Sequence, residues 1–87
     1  MKLKQINLDD DGVPETVLVQ MSHDEALYLA LLAGRQTGDS SEGIMPGGNT
    51  HNTSAWNTLA GDLFNNYYDD GVDEAASHAR KVHRPGS

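Results

Sequence analysis

Apolar and polar residues are interspersed over two short stretches near the start of the chain. KLKQINL and TVLVQM are strand-like, and DDDG between them has the residues of a tight turn. Pro14 delays the start of the second strand. The pattern therefore predicts a β-hairpin in which Val17, Val19 and Met21 share one face.

A two-stranded hairpin is only marginally stable by itself, so another part of the molecule should cover it. We expect it either to pack on the helices or to pair with the strand edge of another subunit. Both arrangements would bury the apolar side chains of Ile6, Leu8, Val17 and Val19.

After Ser22 the spacing of apolar residues changes to three and four, which indicates an α-helix. Ser22 and Glu25 form an S-x-x-E capping box, in which each side chain accepts a hydrogen bond from a free N–H group at the helix start. The helix should begin at His23 and continue to about Arg35. Its apolar residues cover most of its circumference, which predicts a central position: Leu27, Ala30, Leu31 and Gly34 form one stripe, with Tyr28, Leu29 and Leu32 beside it.

A second helix is predicted from about Ser54 to Tyr68, with Thr53 or Ser54 as its N-cap. A short third helix, DEAASHARKV, should follow, with Asp73 as its cap, and the tail from residue 84 onward should fray. The apolar residues of the second helix recur at helical spacing on one face: Trp56, Leu59, Ala60, Leu63, Phe64 and Tyr67.

Between the two main helices lies GDSSEGIMPGGNTHNTS, residues 38–54. Loops longer than about 12 to 15 residues without secondary structure are usually functional or disordered. We expect such a loop here, with NTHNTS leading into the start of the second helix. The free N–H groups at that start would form a place where an anion can bind.

Together these elements predict one α+β domain over residues 1–87, with an N-terminal β-hairpin packed on two main α-helices and a short C-terminal helix. A chain of this length buries only about 60 to 65% of its unfolded surface by itself, so its own core is thin. We therefore expect a homo-oligomer, held by the edge strand or by the helix faces around Leu29 and Phe64.

The charge of the chain is strongly negative. Thirteen Asp and Glu residues against six Lys and Arg give a formal charge of −7, so binding to nucleic acid is not expected. The chain has no cysteine, and its longest apolar run, Ala26 to Ala33, is too short to span a bilayer. Without a signal-peptide pattern, we expect a cytoplasmic protein with no membrane segment.

Three patterns were candidates for catalysis or metal binding. Asn7-x-Asp9-x-Asp11-Gly12-x-x-Glu15 spaces oxygen ligands as calcium loops do, and NLDDDGVPETVLV is similar to the calcium loops of integrin-type propeller repeats and dockerins. A charged hairpin turn is the favoured interpretation. No G-x-S-x-G elbow accompanies the Ser, His and Asp residues. We expect no catalytic residue, metal or cofactor, because the histidines also lack metal-ligand spacing: His23, His51, His78 and His83.

The predicted loop and the start of the second helix form the main candidate ligand site. Backbone N–H groups, amides and hydroxyls suit a phosphate, Trp56 can stack on a planar base, and Arg35 is the one cation near the middle of the chain. A nucleotide-like anion has the matching chemistry. The candidate binding residues are Arg35, Asn49, His51, Asn52, Thr53, Ser54 and Trp56.

The order of these segments also carries a resemblance. VLVQMSHDEALYLALLAGRQTGDSS, the Gly/Ser/Asn stretch and the W-x-x-L-A-x-x-L-F helix resemble, in size and layout, small accessory proteins encoded by phages. Some of these are sponges for immune signalling nucleotides, including the Thoeris anti-defence proteins. The resemblance implies an oligomer with ligand sites at subunit interfaces and no catalysis.

Two functions follow as expectations. The first is a non-enzymatic phage protein that sequesters a nucleotide-like signalling molecule in the host cytoplasm and so blocks host immune signalling. The alternative is an acidic protein-interaction module that binds and inhibits a host protein. Sequestering needs a pocket with convergent donors, whereas docking needs an exposed apolar or acidic patch.

Overall fold

A hairpin and four helices make up the fold. The computed structural model describes the backbone of residues 1–82 and the side chains as far as Ala79, so the predicted frayed tail lies outside the described residues. The strands are β1 (Lys2–Leu8) and β2 (Pro14–Gln20). The helices are α1 (His23–Gly34), α2 (Gly38–Ile44), α3 (Gly48–Trp56) and α4 (Val72–Val82), and α3 continues directly into a π-helical segment (Asn57–Asn65). The α+β fold class is confirmed.

The start of α1 agrees with the sequence analysis. Ser22 accepts a hydrogen bond from the N–H of Glu25 at 3.1 Å, and the Glu25 carboxylate accepts one from the N–H of Ser22 at 2.9 Å. The capping box thus satisfies two N–H groups that the helix itself leaves without partners. It fixes the first helical residue at His23, as predicted.

The core lies where α1, the π-helical segment and α4 meet. Alanines on α1 and α4 let the helix backbones approach closely, and the ring of Phe64, 1% exposed, fills the space between them. The central position predicted for α1 is confirmed, since α1 contacts α3, α4 and the π-helical segment. The buried cluster consists of Ala26, Leu27, Ala30, Phe64, Ala75 and Ala76.

The hairpin extends away from the helices. Every residue of β1 and β2 is exposed, and within residues 1–82 no helix lies close to either strand. Only Met21 and Ser22 connect β2 to α1, and Ser22 is the N-cap of α1. The expected burial is therefore wrong for the single chain, where the four side chains are between 37% and 58% exposed: Ile6, Leu8, Val17 and Val19.

The long loop predicted for residues 38–54 is wrong. Thr37 and Ser40 form a second capping box at the start of α2, with a 3.0 Å bond from the N–H of Ser40 to the Thr37 hydroxyl. Only residues 45–47 separate α2 from α3. Gly48 makes this tight corner possible, because a Cβ there would overlap the carbonyl oxygen of Ser41.

The second main helix also differs from the prediction. It begins at Gly48, not Ser54, and from Asn57 its turns widen to the i→i+5 pattern of a π-helix. Wider turns shift the side chains away from a 3.6-residue stripe. Tyr67, predicted on the buried face, is 78% exposed, and Tyr68 packs against the core instead.

The C-terminal helix was predicted correctly except for its first residue. Gly71 has φ +61° and is followed by α4 at Val72. Asp73 therefore lies in the first turn and is not the cap, although its charge still suits the positive end of the helix dipole. Within residues 1–82 each helix is too short or too polar to cross a bilayer.

Candidate functional site

The anion site predicted at residues 53–56 is absent, because those residues lie inside a continuous helix. The N–H of Asn57 donates to the carbonyls of Thr53 and Ser54, and α3 begins five residues before Thr53. The backbone N–H groups from Thr53 to Trp56 therefore point at the preceding turn. They are not available to a phosphate.

The actual start of α3 does hold an anion, and it is a carboxylate of the chain itself. Glu42 accepts hydrogen bonds from the N–H of Gly47 at 3.2 Å and from the N–H of Asn49 at 2.6 Å. A negative charge in this position also interacts favourably with the helix dipole. This role of Glu42 is not evident from the sequence, because the Gly- and Ser-rich stretch that forms α2 has the composition of a loop.

Several of the predicted ligand residues hold the fold together instead. The side-chain amide of Asn52 donates to the carbonyl of Ala33 at 2.9 Å, near the end of α1. The Thr53 hydroxyl donates to the carbonyl of Asn49 in its own helix, also at 2.9 Å. The ring of Trp56 lies against Gly34, and a Cβ added to Gly34 would stand only 2.7 Å from that ring.

The remaining predicted residues do not converge on one pocket. A polar depression of about 460 Å³ includes Asn49, Thr53 and Ser54, together with Thr50, Asn57 and Thr58. The depression is not lined by Arg35, His51, Asn52 or Trp56. Arg35 and His51 are exposed elsewhere. The candidate site is thus dispersed over the surface.

The Asp9 turn uses its carboxylate internally. One oxygen of Asp9 accepts hydrogen bonds from the N–H groups of Asp11 and Val13, each at 2.9 Å. Gly12, with φ +79°, completes the turn. In the described part of the chain no group of three or more His, Cys, Asp or Glu residues is arranged to hold a metal ion.

A groove between α1, the π-helical segment and α4, bordered by the connection of Met21 and Ser22, is the main candidate site. Its volume is about 610 Å³, within the range of natural ligand pockets, and it is lined mainly by apolar and aromatic side chains. We call it the aromatic groove. Its lining residues are Met21, Ser22, His23, Ala26, Leu59, Leu63, Phe64, Tyr67, Tyr68 and His78.

Hydrogen bonds on both sides hold the ring of His23 in the aromatic groove. Its Nδ1 lies 2.9 Å from a carboxylate oxygen of Asp24, and its Nε2 lies 2.8 Å from the hydroxyl of Tyr68. The ring also meets Phe64 edge-on, with centroids 5.5 Å apart, and His78 at 5.8 Å. The groove therefore has a rigid aromatic wall.

The side chains of the aromatic groove differ widely in exposure. Phe64 is fully buried at its base, while Leu63 and Tyr67 are 43% and 78% exposed at its rim. Tyr67 and Tyr68 form an edge-on pair with centroids 5.1 Å apart. A large apolar rim beside a closed base is the arrangement found around anchor pockets in protein interfaces.

No Asp, Glu, Lys or Arg lines the aromatic groove, and the carboxylate of Asp24 lies against its His23. Asp69 and Asp70 directly follow Tyr68 in the sequence, and Asp70 lines a different cleft, together with Trp56 and Asp73. On the nearby turn of α1, the terminal ammonium of Met1 lies 2.6 Å from the Glu25 carboxylate. This ammonium, with the backbone N–H of Ser22, lowers the pKa of Glu25 to about 2.

The sequence does not reveal the aromatic groove, because its parts are far apart in the chain. His23 and His78 belong to different helices, and only tertiary packing brings them together. One signal was present, namely two adjacent tyrosines at the end of an apolar helix that needs only one of them for its core. No protein-family model, curated protein or solved structure matches the chain.

Proposed function

We propose that this protein is a non-enzymatic protein-interaction module whose aromatic groove receives an apolar, positively charged segment of another protein. The observation that carries the proposal is the groove itself, about 610 Å³ in volume and walled by aromatic rings. Tyrosine is enriched among the residues that dominate binding energy in interfaces. Of the two functions expected from the sequence, the protein-interaction module is thus preferred over capture of a nucleotide-like molecule.

Charge supports the choice of partner. The chain carries a net charge of −7, no Asp, Glu, Lys or Arg lines the groove, and Asp24 contacts its His23. An amphipathic segment with Lys or Arg beside its apolar anchors would bury the anchors and place a positive charge near Asp24. Such complementarity raises association rates and disfavours acidic partners.

Calorimetric titration tests this proposal with a defined probe. The probe is an amphipathic helical peptide of Leu, Trp and Lys, and the same peptide with Glu in place of Lys serves as the acidic comparison. We expect the basic peptide to bind and the acidic one not to bind. Equal binding of both peptides, or no binding of either, would overturn the proposal.

Two matched tyrosine variants locate the binding. Tyr67→Ala removes an exposed ring from the rim of the groove, and Tyr28→Ala removes a similarly exposed ring from the outer face of α1. We expect Tyr67→Ala to weaken binding about five- to thirtyfold, as losing about 1 to 2 kcal/mol would, and Tyr28→Ala to leave it unchanged. If Tyr28→Ala weakens binding as much as Tyr67→Ala, the groove is not the binding surface.

Capture of a nucleotide-like molecule is a second proposal, supported by the partly exposed ring of Trp56, which borders a smaller cleft of about 310 Å³. Asp70 and Asp73 also line that cleft, and they disfavour a phosphate. Calorimetry with cyclic oligonucleotides and cyclic ADP-ribose isomers tests it, with Trp56→Ala and Arg35→Ala expected to weaken any binding. The phage origin and the anti-defence role stay predictions from the resemblance.

A further inference from the structure

One face of the hairpin carries all but one of the large apolar side chains of its two strands. Leu3 pairs with Val19 and Ile6 pairs with Val17, and cross-strand partners lie on the same face of a sheet. In an unbroken strand, Leu3 and Ile6 would point to opposite faces, because they are three residues apart. A bulge brings them together: Lys4 is an extra residue between the paired positions.

A second irregularity near the turn, at Glu15, leaves Leu8 on the same side as Ile6. The opposite face is polar, with hydrogen bonds from Gln5 to Asn7 and from Asn7 to Thr16, and Leu18 is its apolar exception. We call the first surface the apolar hairpin face. It consists of Leu3, Ile6, Leu8, Val17 and Val19, which are between 37% and 58% exposed.

We propose that the apolar hairpin face is covered by the same face of a second copy of this chain, with the two hairpins packed face to face and running in opposite directions. Two sheets stacked in this way form a small β-sandwich, in which the facing side chains are buried from both sides. The same surface serves both partners, as a two-fold dimer requires. This surface is separate from the aromatic groove proposed to bind a partner protein.

The charges of the hairpin favour a second copy over another partner. Lys2 and Lys4 lie at its base, where the chain joins the helices, while Asp10, Asp11 and Glu15 lie at or near its turn. In the antiparallel arrangement the basic end of each hairpin meets the acidic end of the other. The lysines of β1 also discourage edge-to-edge pairing, which would leave the apolar hairpin face in water.

The chain exposes more surface than a compact chain of its mass, and the excess is large enough for such an interface. Its accessible surface is 6622 Å², against about 5,000 Å² for a compact chain of the same mass. Its radius of gyration is 15.3 Å, against about 12 Å expected for this length. The excess surface exceeds the roughly 800 Å² that each partner buries in a standard interface.

Substitutions at two adjacent residues of β2, Val17 and Leu18, test the proposed dimer. Val17 and Leu18 are each 57% exposed but point to opposite faces of β2. We expect sedimentation at tens of micromolar to show twice the 9.4 kDa of one chain for the wild type and for Leu18→Lys, and a monomer for Val17→Lys. A monomeric wild type, or the same behaviour of both variants, would overturn the proposal. Circular dichroism of the helices checks folding.

A charge exchange tests the direction of packing independently. The double variant Lys2→Glu/Lys4→Glu makes both hairpin ends acidic, and the triple variant Asp10→Lys/Asp11→Lys/Glu15→Lys makes both ends basic. Each variant alone should dimerise at least about tenfold more weakly than the wild type, and the mixture of the two should form a heterodimer. A mixture that stays monomeric while the wild type dimerises would overturn the antiparallel arrangement.

Discussion

At the scale of single residues, glycines at close contacts determine where the helices of this protein meet. Gly34 lets the Trp56 ring lie against α1, and Gly48 lets α3 start beside α2. From the sequence, Gly34 is expected on the apolar stripe of the first helix and Gly48 in a loop. The structure shows that they are packing positions, which is a property of tertiary contacts that a single sequence does not reveal.

Gly48 gives a direct prediction about stability. Gly48→Ala should lower the free energy of unfolding by about 1 to 3 kcal/mol, because the new Cβ would overlap the Ser41 carbonyl. Gly43→Ala is the matched control, since it lies in α2 with nothing within 4 Å of its added Cβ. It should raise stability by up to about 1 kcal/mol through better helix propensity. Urea unfolding followed by circular dichroism measures both, and equal effects would contradict the account of the corner.

The ion pair at Glu25 predicts a dependence on pH. The pKa of Glu25 is lowered from 4.5 to about 2 in the folded state. The stability that its charge contributes is therefore present above about pH 4.5 and is lost as the pH falls toward 2. Glu25→Gln keeps a side chain that can complete the capping box but loses the charge. The melting temperature of the variant should be lower than that of the wild type at pH 7 and equal to it at pH 2. A difference that is independent of pH, or unaffected by acetylating the Met1 amine, would argue against the ion pair.

At the scale of helices and strands, local signals predicted some elements well and others not at all. The capping box of Ser22 and Glu25 predicted the start of α1 to the residue, because this signal depends only on neighbouring side chains. The box of Thr37 and Ser40 was missed, since Ser replaces the usual Glu or Gln and the surrounding Gly and Ser residues favour a loop. The π-helical segment was missed because the apolar spacing was interpreted with a period of 3.6.

The start of α3 gives a prediction about an element. Glu42→Ala removes the carboxylate that accepts from the N–H groups of Gly47 and Asn49, and should cost about 0.5 to 2 kcal/mol, as the loss of a helix cap does. Sulfate should then stabilise this variant more than the wild type, because an external anion can fill the vacated position. Asp62→Ala, which removes an exposed carboxylate elsewhere on the same continuous helix, is the control.

Thermal unfolding in sodium sulfate and in sodium chloride of equal ionic strength measures this difference. An equal response of Glu42→Ala, Asp62→Ala and the wild type to sulfate would show that the start of α3 does not bind anions.

At the scale of the whole molecule, the chain leaves two large apolar surfaces uncovered, the apolar hairpin face and the aromatic groove. The first was partly predictable, since Val17 and Val19 indicated an apolar strand face, although its position away from the helices was not. The second was not predictable, because residues of α1, the π-helical segment and α4 come together in it only through tertiary packing. Contiguous exposed apolar patches are typical of surfaces that bind other molecules.

The central claim is that the aromatic groove binds a basic, apolar protein segment, and methyl NMR during titration with the Leu/Trp/Lys peptide tests it most directly. The groove methyl groups of Ala26, Leu59 and Leu63 should shift and show contacts to the peptide, while those of Leu32 on α1 should not. No shift at these three residues, or shifts confined to α3 around Thr53 and Ala55, would contradict the claim.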